Sequence, residues 1–432
     1  MKTLVIGTGG REHALALALS LDPAVSEVHA APGNPGIGAF AALHDVDPMD
    51  GPAVAALATS IGADLVVVGP EAPLVGGVAD AVTGAGIACF GPSQAAARLE
   101  GSKSFSKDVM AAAGVPTAGS RTCTTPHEVS DALAAFGAPY VVKDDALAAG
   151  KGVVVTNDRT EALAHAADCD TVVVEEFLDG PEFSIFVVCD GTVGRPLIPA
   201  QDFKRIFDGG RGPNTGGMGS YAPLEWLPAG TVETVMAQVV EPTLTQMRRL
   251  DAPFVGCLYV GLALTSAGPK VIEFNCRFGD PDVQPVLALL TSPLGSLLAA
   301  AAAGTLADEP EPTFADGASV SVVLASAGYP ESSSKGDVIR GAGAAHGVHD
   351  VDVIHAGTAI VAAPEEGDPE HRHLVTASGR VLSVRAVGYD VADARSRAYA
   401  AADLISFDGL QRRSDIAAEP LGVVEGSTIK EG

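Results

Sequence analysis

Through the first hundred residues, short β-branched apolar runs alternate with Ala/Leu-rich stretches: LVIG at 4–7, EHALALALS, VHAAPG, DLVVVGPE at 64–71, a further helical stretch, then IACFGP. Continuous apolar strands separated by helical segments predict parallel β-α-β units with both sheet faces covered. From Ala96 a helical segment, AARLEGSKSFSKDVMAAAG, runs to Val115-Pro116, where proline stops it, so a boundary falls near residue 100. Residues 117 to about 185 carry strands (YVVK, GVVVT, TVVVEEF) around a helix that EALAHAADC begins. Further strands (FVVCD, FVGCLYVGLALT, KVIEFN) and long helices follow to about 310. The acidic, proline-containing ADEPEPTFADG at 307–317 reads as a linker. After it the pattern restarts as VSVVLAS, DVIRG, AIVAA and RVLSVRAVG around one Ala-rich helix, DARSRAYAAADLI. No internal repeat is visible.

Composition narrows the function. The 432 residues carry 27 Lys+Arg against 53 Asp+Glu, a net charge of −26. That balance argues against a broad nucleic-acid or anionic-membrane surface, which needs a contiguous basic face, but leaves room for a small phosphate site. The apolar run 286–304 is interrupted by Thr291, Ser292, Pro293 and Ser296, and MKTLVIGTGG lacks a signal peptide's apolar stretch. A soluble, cytoplasmic chain with no nucleic-acid or membrane partner is expected. Six cysteines stand far apart with no C-x-x-C pair, so reduced thiols and no cysteine metal site are expected. The ten histidines form no H-x-x-x-H or H-E-x-x-H pair, and G-x-S-x-G is absent.

Several segments carry chemistry. The turn Gly7-Thr8-Gly9-Gly10-Arg11-Glu12 follows the first strand and opens a helix, where backbone N–H groups either receive a phosphate or only close a tight connection. With Glu12 in place of a third glycine, it is not the dinucleotide fingerprint. The loops 31–36 (APGNPG) and 69–73 (GPEAP) should reach the same carboxyl edge of the sheet, the usual ligand side. The sharpest segment is VVKDDALAAGKGVVV at 141–155, two strands joined by a small-residue loop with Lys143 and Lys151 at its ends. Such a loop can close over a triphosphate while two ammonium groups offset its charge; the alternative is a glycine hairpin with surface lysines. It is not a Walker A loop, since Asp145 and Gly152 occupy the diagnostic positions. The strand end Glu175-Glu176-Phe177-Leu178 and nearby Glu182 offer an edge for a base and a carboxylate for ribose hydroxyls, or form a solvated terminus. In VIEFNCRFGDPD, Glu273 and Asn275 should share a strand face while Ile272 and Phe274 enter the core. Two hard oxygens suit magnesium, and Arg277 could then reach a transferring phosphoryl group. Between them, four glycines within 212–219 (GPNTGGMG) must turn or wrap a ligand.

Taken in order, GTGGREHALA, APGNPG, VGPEAPLVGGVAD, LEGSKSFSKD, VVKDDALAAGKGVVV, VEEFLDGPEFS, QDFKR, GPNTGGMGSYAP and VIEFNCRFGDPD resemble the phosphoribosylamine-glycine ligase family, also called glycinamide ribonucleotide synthetase. The resemblance extends through GDVIRG, HAGT and GRVLSV in the last domain. It implies an α/β chain: an N-terminal parallel-sheet domain (1–100), a central ATP-grasp domain of two subdomains (101–310, with a small lid at about 117–184) and a small α+β C-terminal domain (311–432). It implies ATP-dependent joining of glycine to 5-phosphoribosylamine through glycyl phosphate, with Mg2+ or Mn2+, and a monomer is expected. By the resemblance Arg277, Asp202 and Lys143 are catalytic. Lys103, Lys143, Ala149, Gly150, Lys151, Gly152, Glu175, Glu176, Leu178 and Glu182 bind ATP. Gly9, Gly10, Asn34, Pro70, Glu71, Asn214, Thr215, Gly216, Gly217 and Met218 face the other substrates, and Glu273 and Asn275 hold the metal.

No enzyme nucleophile is needed for that reaction, in keeping with the absence of one. Other readings are a different ATP-grasp ligase or carboxylase, or a nucleotide-binding regulator without turnover; the retained Glu273 and Asn275 argue against the regulator. The chain departs from the family's commonest pattern at Asp144, Ala146, Phe203, residues 207–211 and a shortened 156–171. Of only nine lysines, five (Lys103, Lys107, Lys143, Lys151 and Lys204) fall in segments assigned to the nucleotide cleft or its approach.

Overall fold

A computed structural model describes residues 1–147, 152–363 and 372–418. The first hundred residues form a parallel sheet of β1 (Lys2–Gly7), β2 (Glu27–Pro32), β3 (Ala42–Leu43), β4 (Leu65–Val68) and β5 (Ala88–Phe90), in the order β3-β2-β1-β4-β5. Strand order therefore reverses at β1, and the loops leaving β1 and β4 diverge from a common crevice. The buried runs LVIG and LVVV explain the sheet, since helices cover both faces.

The expected helical segment after Ala96 is two helices, Gln94–Gly101 and Lys103–Ala113, broken at an extended Ser102. Ser102 Oγ accepts the Phe105 amide at 3.2 Å, the N-cap bond that outweighs helical continuation. The antiparallel sheet that follows contains β6 (Ser120–Cys123), β7 (Tyr140–Asp144), β8 (Val153–Thr156) and β9 (Val172–Glu175), ordered β6-β9-β7-β8 over its own core of Val129, Leu133, Val142 and Val174. Beyond it run β10 (Glu182–Asp190) and β11 (Gly194–Pro196), then the short β12 (Gln201–Asp202), β13 (Arg205–Phe207), β14 (Arg211–Asn214) and β15 (Gly219–Ala222). Long β16 (Val255–Thr265) and β17 (Gly268–Asn275) complete a second sheet, β11-β10-β16-β17.

After residue 317 come β18 (Ala318–Ala325), β19 (Val351–His355), β20 (Thr358–Ala362), β21 (Arg372–Thr376) and β22 (Arg380–Gly388). Their main sheet, β12-β15-β18-β22-β19, recruits two strands from the central segment. DVIRG makes only isolated bridges at Val338 and Arg340, whereas β19, absent from the sequence expectation, is an edge strand paired to β22 alone. The 307–317 stretch is strapped down, with Arg195 Nη1 2.7 Å from Glu311 Oε1. The apolar run 286–304 divides into helices Val283–Leu289 and Leu294–Ala303, and no described helix is long and apolar enough to cross a membrane.

A histidine contact ties the first helix (Gly10–Ser20) to β19. The His355 amide donates to His13 Nδ1 at 2.8 Å, and both rings pack on Gly36, where a Cβ would lie 2.4 Å from His13 Cε1. Burial, reinforced by neighbouring His355, Arg385 and His346, lowers His13 to about 3; burial and His346 lower His355 to about 4. Both rings are neutral when folded and gain protons below 6.5 when unfolded, so their contribution is full above 6.5 and is lost as pH falls toward 4. Urea unfolding at stepped pH should show that decline, and His13→Gln should flatten it; an unchanged slope would remove the histidines as its source.

Candidate active site

A cleft of about 660 Å³ lies between the β6–β9 sheet and the β10–β17 sheet, and meets a second cavity of about 360 Å³ through Asn214, Thr215, Gly216, Asp280 and Arg380. The larger is lined with cations and carboxylates; the smaller lies against Thr8 and Gly9 at the end of β1.

Glu175 organises the inner wall. Lys143 and Glu175 stand on neighbouring strands, two positions off register and so on one sheet face. Lys143 Nζ is 3.0 Å from Glu175 Oε2 and donates to the Ile272 carbonyl at 2.9 Å. Lys107 Nζ lies 3.2 Å from the other oxygen, Oε1, and donates to Thr117 Oγ1, which in turn donates to Val271 O. Two ammonium groups thus share one carboxylate, leaving a buried positive charge for an anion. Burial, with the like charge of Lys143, lowers Lys107 to about 8 despite Glu175. The sequence held one signal for Lys107: it stands four residues after Lys103 in one helix. Lys103 Nζ donates to Ala146 O just after β7, and Asp145 accepts from the Ser104 amide at 2.7 Å. Ala149, Gly150 and Lys151 lie outside the described residues. Gly152 lines the cleft and accepts the Asp144 amide. Glu176, Leu178 and Glu182 border the same space, with Glu182 Oε2 2.8 Å from Lys204 Nζ.

On β17 the expected alternation fails at one position. A bulge opposite Gly261 and Leu262 turns Ile272 out of the core into the cleft, and Val271 and Phe274 are the buried pair instead. Glu273 and Asn275 do reach the cleft. Burial alone would raise Glu273, but Lys204, Lys143, Lys103 and Arg277 hold it below the usual carboxylate value. The described residues contain no cluster of three or more His, Cys, Asp or Glu suited to a metal. An ionised Glu273 beside the Asn275 carboxamide fits a hard divalent ion that draws its other ligands from phosphate and water.

Arg277 is held by Glu71, 3.4 Å from Nε, and Glu100, 3.1 Å from Nη2. Burial disfavours its charge, but these carboxylates raise its pKa above the ordinary value. Glu100 also receives the Cys276 amide at 2.8 Å. Asp202 is pushed up to about 8 by burial and by Asp282, against the pull of Lys204. Asp282, itself raised by burial, accepts Tyr259 OH at 3.3 Å.

The residues expected to face the other substrates divide. Gly9, Asn214, Thr215 and Gly216 line the smaller cavity, and Glu71 the larger. Gly10 begins the first helix, where a Cβ would meet Gln284 and Asp280; Pro70 begins the helix Glu71–Val75. Asn34 lines neither cavity: its Nδ2 donates to Thr8 O and His355 O, and its Oδ1 accepts from Gly36 and Ile37. Gly217 packs on Pro281, and Met218 is fully buried in the core. Sequence reasoning gave no role to Glu100 or Arg380, and none to Asp280 and Asp282 although both stand in VIEFNCRFGDPD. Arg380, opening β22, donates to the Gly216 and Asp280 carbonyls and pairs with Asp280 Oδ2 at 3.1 Å, a contact across a hundred residues that no local pattern encodes.

Three family profiles match in sequence: the N domain of phosphoribosylglycinamide synthetase over 1–100, its ATP-grasp (A) domain over 101–283 and its C domain over 319–419. The chain is similar to the phosphoribosylamine-glycine ligases of Streptomyces coelicolor (60% identity, 98% of this chain and 100% of that one) and Mycobacterium tuberculosis (53%, 96% and 97%). The crystal structure of phosphoribosylamine-glycine ligase from Thermotoga maritima superposes with TM-score 0.80 at 31% identity, covering 96% and 100% of the two chains. A biotin carboxylase from Campylobacter jejuni shares the fold (TM-score 0.69, 14% identity, 95% and 92% coverage).

The Lys107 environment makes a pH prediction. Between about 8 and the ordinary lysine value of 10.5 the folded chain binds fewer protons here than the unfolded chain, so this group's contribution to stability rises with pH across that window. Denaturant unfolding at both ends should show the rise, and Lys107→Met should lack it; an identical rise in the variant would place the titration elsewhere.

Proposed function

Because the chain belongs to the phosphoribosylglycinamide synthetase family, we propose that it joins glycine to 5-phosphoribosylamine at the expense of ATP, giving glycinamide ribonucleotide, ADP and phosphate. The observation that carries this reading is the meeting of the two cavities at Asn214–Gly216. One is lined by lysines suited to a triphosphate, and the other lies against the first glycine turn, so two ligands can react where they join. A carboxylate resists attack by an amine, so a glycine oxygen first attacks the γ-phosphorus and ADP departs. The amine then attacks the carbonyl carbon of glycyl phosphate, inorganic phosphate leaves with the C–O bond pair, and the nitrogen gives up a proton.

In this reading Lys103, Lys143 and Lys107 bind and neutralise the phosphates, and Gly152 borders them. Glu176, Leu178 and Glu182 border the nucleoside. Arg277, pre-oriented by Glu71 and Glu100, steadies the acyl phosphate. Asp202 shares the wall where glycine is held. Glu273 and Asn275 would hold Mg2+ or Mn2+, whose chemistry is to neutralise phosphate charge. Gly9, Asn214, Thr215 and Gly216 bind the sugar phosphate and its amine. Closure of the cleft would also keep water from the acyl phosphate.

Purified protein should release phosphate from ATP only when glycine and phosphoribosylamine are both supplied; release indifferent to either substrate would sink the assignment. Glu273→Ala should abolish turnover by removing a metal oxygen, and near-normal rates at saturating magnesium would remove Glu273 from the ligand set.

A further inference from the structure

We propose that the segment Arg413–Asp415, close to the carboxyl end of the described chain, is a latch that positions the β13–β14 hairpin and through it the loop Asn214–Gly216. This inference rests on the reading of that loop as the place where the amine substrate is held.

Arg413 is among the largest fully buried side chains, yet it borders the cleft. Its guanidinium forms a fork with Asp415, Nε to Oδ1 at 2.7 Å and Nη2 to Oδ2 at 2.6 Å. The remaining arm, Nη1, donates to the Arg205 carbonyl at 3.1 Å, at the base of the hairpin. Below it lies Phe203, with its ring centroid 5.1 Å from the guanidinium carbon. The ring gives this cation an apolar, electron-rich face to rest on.

The hairpin's far end is held by the same segment. Ser414 donates from its amide to Asp208 Oδ1 at 2.8 Å and from its hydroxyl to Oδ2, while the Gly209 amide donates to Asp415 Oδ2 at 2.8 Å. The latch is itself anchored: Tyr399 OH donates to Arg413 O at 2.9 Å, Arg395 donates to Ser414 O and Ile416 O, and Gln411 bridges to Ala325 on β18.

A hairpin pinned at base and tip carries its position into the site over one residue. Arg205 opposes Asn214 in register, and Thr215 donates from its amide and hydroxyl to Lys204 O, each at 2.8 Å. Loss of the latch should therefore displace the amine site while leaving the β7–β9 wall, assigned above to the ATP phosphates, undisturbed. Arg413 is a positioning residue, since every guanidinium contact named is internal to the chain.

Hydrogen exchange on the full chain tests the latch directly. In Arg413→Ala, amides of residues 205–216 should exchange about tenfold faster or more, with β7 and β9 unchanged; unaltered protection of 205–216 overturns the proposal whatever the reaction. In steady-state turnover Arg413→Ala should raise KM for phosphoribosylamine about tenfold and leave KM for ATP unchanged, with partial recovery in Arg413→Lys. Equal rises in both KM values overturn the positioning role without touching the proposed activity. A wild-type chain without glycine-dependent turnover instead refutes the activity, and the exchange result then decides the latch alone. Should Arg413→Ala fail to fold, Asp208→Ala removes the side-chain contacts of Asp208 with the latch and must show the same pattern in smaller measure; no change in exchange or KM there overturns the latch.

Discussion

Charge neutralisation inside a desolvated cleft is the constraint on which the site depends. A buried cation is costly unless it is paired and hydrogen-bonded, and a pair broken on one side is costlier still. The chain meets this by giving its cleft cations assigned carboxylates: Glu175 for Lys143 and Lys107, Glu182 for Lys204, Glu71 and Glu100 for Arg277, and Asp280 for Arg380. Among the described lining residues nine basic side chains face nine acidic ones, in a chain whose net charge is −26. Counted by residue type the charges balance, and Asp202, pushed up to about 8, tips the cleft slightly positive at neutral pH, which sharpens the expectation drawn from lysine placement alone. Basic charge is concentrated there, and it is held in fixed directions by acids recruited from other parts of the chain. Such preorganisation is what a reaction without a covalent nucleophile requires, because positioning and charge stabilisation must supply the rate.

Topology explains how distant residues meet. The reversal of strand order at β1 opens the crevice beside Gly9 and Glu71. The paired strands β7 and β9 face Lys143 and Glu175 toward Ile272, which a bulge turns into the cleft. The third contribution comes from the sheet that joins β12 and β15 to β18 and β22. That shared sheet delivers Arg380 to Asp280, and the segment following it returns Arg413 to the hairpin beside the loop 214–216.

What was legible in the sequence follows from the range of the interactions. The parallel sheet was legible because LVIG and LVVV are buried on both faces, and the glycine turn and lysine strands were legible because their chemistry is local. Glu273 and Asn275 were placed together correctly by strand alternation. The same rule misplaced Ile272, because a bulge depends on the partner strand and leaves no mark in its own residues. Ser102 was an N-cap concealed in an alanine-rich window whose helical pattern continued on both sides. Asn34 stood out as a loop asparagine, yet its amide and carbonyl are used in joining Thr8, His355 and the turn at Gly36. Glu100, Arg380 and Arg413 were invisible for the opposite reason: each acts through a partner a hundred or more residues away.

The central claim is that this preorganised cleft activates glycine's carboxylate as an acyl phosphate before the amine arrives. Turnover of glycine labelled with oxygen-18 in both carboxylate positions, followed by mass analysis of the released phosphate, tests it most directly. The account predicts one labelled oxygen in each phosphate, carried there when a glycine oxygen attacks phosphorus and the C–O bond later breaks. Phosphate released without label during normal product formation would contradict it.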